Sequence, residues 1–189
     1  MDIKFRTLNY QLAATQAVVN CFVGQSKSDG NRYMLDKGKR KANNSLQIDF
    51  INDQQGETYT DIAFGNAPIQ DMDRVLSNVQ EQQLAAGLAR SETLVVDDNG
   101  KGKNLTSSQL NLNIEMETGT GKTYCYIRTM FELNKQYGWS KFIIVVPSIA
   151  IREGVYKSLE MMADHFHHIY QKKARFFIYD SKALHHLES

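Results

Sequence analysis

A glycine-rich octapeptide, Met116-Glu117-Thr118-Gly119-Thr120-Gly121-Lys122-Thr123, constrains this chain more than any other stretch. Before it, Leu110-Asn111-Leu112-Asn113-Ile114-Glu115 alternates apolar and polar residues, which predicts a strand. After it, residues 123 to about 136 place Tyr126, Met130 and Leu133 on one side, with Ile127 and Phe131 beside them. That spacing predicts a helix, ended by Gly138. A strand, a glycine loop and a helix in direct succession form the setting in which such a loop cradles phosphate. Gly119 and Gly121 permit backbone conformations closed to other residues, so successive N–H groups can turn inward as an anion nest. The helix N-terminus adds a favourable field. Lys122 would reach the β- and γ-phosphates, and the Thr123 hydroxyl would face magnesium. The strict pattern G-x-x-x-x-G-K-[ST] departs at its first position, where Met116 stands in place of glycine.

Downstream, residues 141–146 form an apolar run, Phe142-Ile143-Ile144-Val145-Val146, bounded by Trp139-Ser140 and Pro147. This reads as a strand buried on both faces. Ser148 suits the cap of a helix from Ile149 to about Phe166. Arg175-Phe176-Phe177-Ile178-Tyr179 reads as a third strand. Strand, helix, strand, helix, strand predicts an α/β fold with a parallel sheet and right-handed crossovers.

The 189 residues fit one domain. A net charge of +1 supplies no global field for nucleic acid or membrane, so any such contact needs a local patch. Two separated thiols, Cys21 and Cys125, make neither a disulfide framework nor a metal site. With no apolar leader behind Met1, the expected compartment is the reducing cytoplasm. The longest apolar run is too short to cross a bilayer.

Three zones organise the chain. Residues 1–23 hold a predicted amphipathic helix from Tyr10 to Phe22, with Leu12, Thr15, Val19 and Phe22 at helical spacing and Asn9 as its cap. Residues 24–108 read as a polar insertion, partly irregular, with a strand pattern at 46–50, a helical stripe from Met72 to Leu88 and a turn at 97–104. Residues 109–189 hold the elements around the glycine loop, and the sequence ends ten residues after the third strand, which reads as a truncated domain. The basic cluster 37–41 suits a solvated loop. His165, His167, His168, His185 and His186 lack metal-site spacing and read as solvated helix and tail residues. Glu115 and Glu117 flank the loop; Glu117 sits inside it, where the backbone is committed to phosphate, and does not read as catalytic.

The stretch Glu115 to Thr123, with residues 142–154, 174–181 and the Tyr10-Gln11-Leu12 tripeptide, resembles the restriction (Res) subunit of type III restriction–modification enzymes. The resemblance covers nearly the whole chain, most specifically residues 111–181, and Met116 is common at its position in that family. It implies a superfamily 2 helicase-type ATPase with a partial RecA-like P-loop domain here. It also implies a DNA-dependent ATPase and translocase coupled to an endonuclease, working with a modification (Mod) methyltransferase subunit on double-stranded DNA. Carried onto this chain, ATP would be held by Gln11, reading adenine, and by Thr118, Gly119, Thr120, Gly121, Lys122 and Thr123. Thr123 would also take Mg2+, and Pro147 and Ser148 would face the DNA backbone. The family's Asp-Glu pair, its second RecA-like domain and its nuclease motif are absent from these residues. The expectation is therefore weak ATP–magnesium binding with negligible hydrolysis, since phosphoryl transfer needs metal, water and charge stabilisation placed together. Two alternatives stay open: an inactive or binding-only remnant, and an unrelated P-loop protein such as a small-molecule kinase.

Overall fold

The computed structural model describes residues 5–27, 31–34, 62–94 and 110–179. They form four helices and one two-stranded ribbon: α1 (Asn9–Asn20), β1 (Asn31–Met34), β2 (Ile62–Gly65), α2 (Met72–Ala85), α3 (Lys122–Tyr137) and α4 (Ile149–Tyr170). The expectations for 37–41, 46–50, 97–104 and the histidines at 185 and 186 lie outside the described residues.

Each helix has a local reason to begin and end. α1 is free of glycine and proline and carries Ala13, Ala14 and Ala17, which favour helix. Asn9 is its first residue rather than its cap; Leu8 holds the cap position in extended conformation, without a side-chain bond. The turn after α1 is closed by Asn78 of α2, whose amide donates to the carbonyls of Cys21 (3.2 Å) and Val23 (2.9 Å). α2 is capped by Asp71, which accepts from the Arg74 N–H at 2.9 Å. It stops short of Leu88, because Ala86 leaves helical geometry and Gly87 turns left-handed at φ 72°. α3 ends on left-handed Gly138, whose N–H returns to the Asn134 carbonyl at 3.0 Å. α4 starts on Ser148, whose hydroxyl oxygen accepts from the Ile151 N–H at 3.3 Å. It runs one turn beyond the expected Phe166 and ends where Gln171 adopts φ 54°.

α3 is the central element, with a core on each flank. Toward α1 and α2, Leu133 and Tyr137 pack with Val19, Phe22, Val75 and Val79. Trp139 closes this cluster edge-on to Phe22, ring centroids 5.0 Å apart. The Tyr137 hydroxyl donates to the Val19 carbonyl at 3.0 Å, so the polar end of a buried ring is satisfied. Toward α4, Tyr124 and Ile127 pack with Met162 and Phe166. Phe131 stacks on both Phe166 and Tyr170 at 5.0 Å. Burying side chains such as Val19, Ile127 and Phe166 contributes about 1.5–3 kcal/mol each.

The parallel sheet is not formed among the described residues. The one ladder there is antiparallel, β1 with β2, in the register Asn31↔Gly65 to Met34↔Ile62. The three segments expected as strands, 110–115, 142–146 and 175–179, run without strand assignment. Ile143 and Val145 are 91 % and 87 % exposed, so the apolar run at 142–146 has no covering layer there. The physical reason is that a parallel strand exists only through neighbours on its edges and layers on its faces. An apolar run records a tendency toward burial but does not supply the partner. The fold described is helical, and the RecA-like sheet expected from sequence is corrected accordingly.

The ribbon is tied to the stretch after α3 by Asn66. Its Oδ1 accepts from the N–H groups of Ser140 (2.8 Å) and Lys141 (2.9 Å), and its amide donates to the Lys141 carbonyl (2.7 Å). Among the described residues no helix is long and apolar enough to cross a membrane.

Candidate functional site

The glycine loop sits at the start of α3 and against the start of α1. Gly119 and Gly121 both take left-handed conformations, at φ 82° and 84°. These are the two loop positions where a side chain would be strained. Gly121 is also the N-cap of α3, so the loop runs directly into the helix's first N–H groups. Among the described residues, the N–H groups of Gly119 and Gly121 have no carbonyl or side-chain acceptor. Unpaired N–H groups beside a helix N-terminus are donors of the kind that take an anion.

The rest of the loop is held by its own backbone. The Thr120 hydroxyl donates to the Glu117 carbonyl at 2.6 Å, and the Thr120 N–H approaches the same oxygen at 3.4 Å. The Lys122 ammonium donates to the Met116 carbonyl at 2.8 Å, so the lysine lies along the loop and remains exposed. Met116 does not have positive φ, which explains why this position tolerates a side chain. Thr118 is exposed at the turn, Thr123 is half-buried in the first turn of α3, and the side chains of Glu115 and Glu117 are in solvent.

Gln11 lies against the loop. It is 7 % exposed, and its amide donates to the Thr120 carbonyl at 3.0 Å. A Cβ on Gly121 would lie 2.6 Å from that amide nitrogen, so glycine is what lets the Gln11 amide come this close. The residue before it, Tyr10, was not singled out from sequence as a site residue, yet its hydroxyl donates to the same carbonyl at 3.1 Å. Its adjacency to Gln11 was the available signal. Pro147 and Ser148 stand at the start of α4, with the Ser148 oxygen used in capping; no hydrogen bond joins them to the loop.

Behind the loop lies a polar cluster that sequence reasoning missed. His165 is half-buried rather than solvated, packed on Phe5 at 5.0 Å and bonded through Nε2 to the Tyr124 hydroxyl at 3.1 Å. Arg128 donates to that hydroxyl oxygen at 2.9 Å. Burial, then the positive Arg128 and His168, lower the His165 pKa. Burial and the 2.7 Å bond to Glu132 push the Tyr170 hydroxyl well above its ordinary range. Burial raises both thiols, Cys21 and Cys125, which holds them in the unreactive protonated form.

A glycine loop at the head of one helix, braced by a Tyr-Gln pair on another, is accompanied by a family match over nearly the whole chain. The chain belongs to the type III restriction enzyme Res subunit family, whose model matches residues 4–185. Among its relatives is the Type III restriction-modification enzyme EcoP15I Res subunit of Escherichia coli. It is 35% identical over 108 residues, which is 56% of this chain and 10% of that protein. The EcoPI Res subunit of Escherichia phage P1 is 42% identical over 69 residues, 35% of this chain and 7% of that protein. The StyLTI Res subunit of Salmonella typhimurium is 40% identical over 101 residues, 49% of this chain and 10% of that protein. The chain therefore spans about a tenth of the length of these relatives.

Proposed function

We propose that this chain binds ATP with magnesium at the loop 118–123 and is the nucleotide-holding part of a type III restriction Res subunit. The observation that carries the reading is the pair of left-handed glycines at the N-terminus of α3, with unpaired N–H groups and Lys122 beside them. The residues fit the ligand chemically. Gly119 and Gly121 would present their free N–H groups to the phosphates, and Lys122 would leave the Met116 carbonyl for them. Thr123 would offer its hydroxyl to magnesium, which when bound neutralises phosphate charge. Gln11, already at the loop, would present its amide to adenine.

By the same proposal, the longer protein couples ATP hydrolysis to motion along double-stranded DNA and to cleavage, with a modification subunit as partner. Pro147 and the capped start of α4 would face the DNA backbone, where Ser148 retains a hydroxyl proton to donate. The residues of this chain alone supply the nucleotide cradle and not the acid pair that turns water on the phosphate. The chain should therefore hold nucleotide without turning it over.

Isothermal titration of the chain with magnesium ATP tests this. Saturable binding that disappears in Lys122→Ala supports the proposal. Equal heats for both proteins, or robust DNA-stimulated turnover by this chain, would overturn it.

A further inference from the structure

Among the described residues, the Thr120 carbonyl is the one loop oxygen held by side chains of α1, and it is held twice. Tyr10 Oη lies at 3.1 Å and Gln11 Nε2 at 3.0 Å. A carbonyl has two lone pairs, so both bonds can be made together. In a planar trans peptide the carbonyl and the following N–H point in opposite directions. No peptide bond among the described residues is cis. Turning the Thr120 oxygen toward α1 therefore turns the Gly121 N–H away from α1, where no carbonyl partner is found for it among the described residues.

The backbone alone does not choose this orientation. Rotating the Thr120–Gly121 peptide by half a turn would carry Gly121 from φ 84° to negative φ, and glycine populates both signs about equally. The choice is left to the side chains that hold the oxygen. We infer that Tyr10 is a positioning residue of the nucleotide site: with Gln11 it locks the Thr120–Gly121 peptide so that the Gly121 N–H faces the phosphates.

The two holders are not equivalent. Gln11 is the residue proposed to read adenine, and turning toward a base draws its amide from Thr120. Tyr10 stays on the carbonyl, so the lock persists while the base is bound. The Tyr10 ring is about half exposed, and loss of its hydroxyl removes the bond without opening the core.

This inference rests on the proposed nucleotide site, and the test separates the two. The probe is magnesium tripolyphosphate, which has the phosphates of ATP and no base. Its affinity is measured by titration for the wild-type chain, Tyr10→Phe, Gln11→Leu and Lys122→Ala, with the melting temperature of each ligand-free protein alongside. Loss of one hydrogen bond that orients a phosphate donor should weaken tripolyphosphate about fivefold in Tyr10→Phe. The ligand-free melting temperature should not move. Amide exchange at Gly121 in the bound state should quicken in the same variant, which a merely structural tyrosine would not cause. Gln11→Leu should weaken tripolyphosphate to a similar degree, since the lock and not the base is being probed. Binding lost in Lys122→Ala but unchanged in Tyr10→Phe overturns the inference and leaves the nucleotide site standing. No binding by the wild-type chain, or equal binding by Lys122→Ala, overturns both.

Discussion

The ammonium of Lys122 lies 2.8 Å from the carbonyl oxygen of Met116, the residue that occupies the first position of the loop pattern. The contact uses the backbone of Met116 and none of its side chain. Because Met116 does not adopt positive φ, glycine is not required there. Met116→Gly should leave magnesium ATP affinity within about twofold, since the lysine keeps the same carbonyl. A large loss on titration would mean that the methionine side chain itself shapes the site.

The two loop glycines should respond differently to substitution. At Gly119 a Cβ meets nothing within 4 Å, so Gly119→Ala pays only for its left-handed backbone, about 1–2 kcal/mol. At Gly121 the same backbone cost is joined by a 2.6 Å approach to the Gln11 amide. Gly121→Ala should therefore lose more stability in urea than Gly119→Ala and should displace the Gln11 amide from the Thr120 carbonyl. Equal midpoints for the two variants would contradict the close approach.

Phe166 joins α4 to α3 through stacked contacts with Tyr124 and Phe131, and it is 1 % exposed. Phe166→Ala should cost about 3–5 kcal/mol in chemical denaturation. Tyr137→Phe, on the other flank, removes only the hydrogen bond to the Val19 carbonyl and should cost about 1–2 kcal/mol. If Phe166→Ala were the milder of the two, the aromatic stack would not be what holds α4 to α3.

His165 makes stability depend on pH. Burial, Arg128 and His168 lower its folded pKa below the ordinary value of 6.5. The unfolded chain then takes up the proton first as pH falls. The stabilising contribution is complete above the unfolded pKa and is lost as pH drops from about 6.5 through the lower folded value. The melting temperature should fall across this window, and the fall should be shallower in His165→Asn. An identical pH profile in that variant would remove His165 as the cause.

Local signals in the sequence carried well into the structure. The cap at Ser148, the stop at Gly138 and the helix after the glycine loop depend on neighbouring residues alone, and each is found in place. Gln11 lies against the loop, a relationship across 109 residues that spacing could not supply. The sheet was not legible, because residues 142–146 display apolarity and not the identity of a neighbour. His165 was misjudged for a related reason. Its burial comes from Phe5 and Tyr124, distant in sequence, and no residue local to the histidine identifies them. Tyr10 was passed over because its role lies in one hydrogen bond to a backbone oxygen, which no motif records.

The account rests on nucleotide phosphates meeting the free N–H groups of Gly119 and Gly121. Residue-resolved amide hydrogen exchange, with and without magnesium ATP, addresses that most directly. The account predicts that the Gly119, Gly121 and Lys122 amides become protected on addition of nucleotide, and that Lys122→Ala abolishes the protection. Nucleotide binding with those amides still exchanging freely would contradict it.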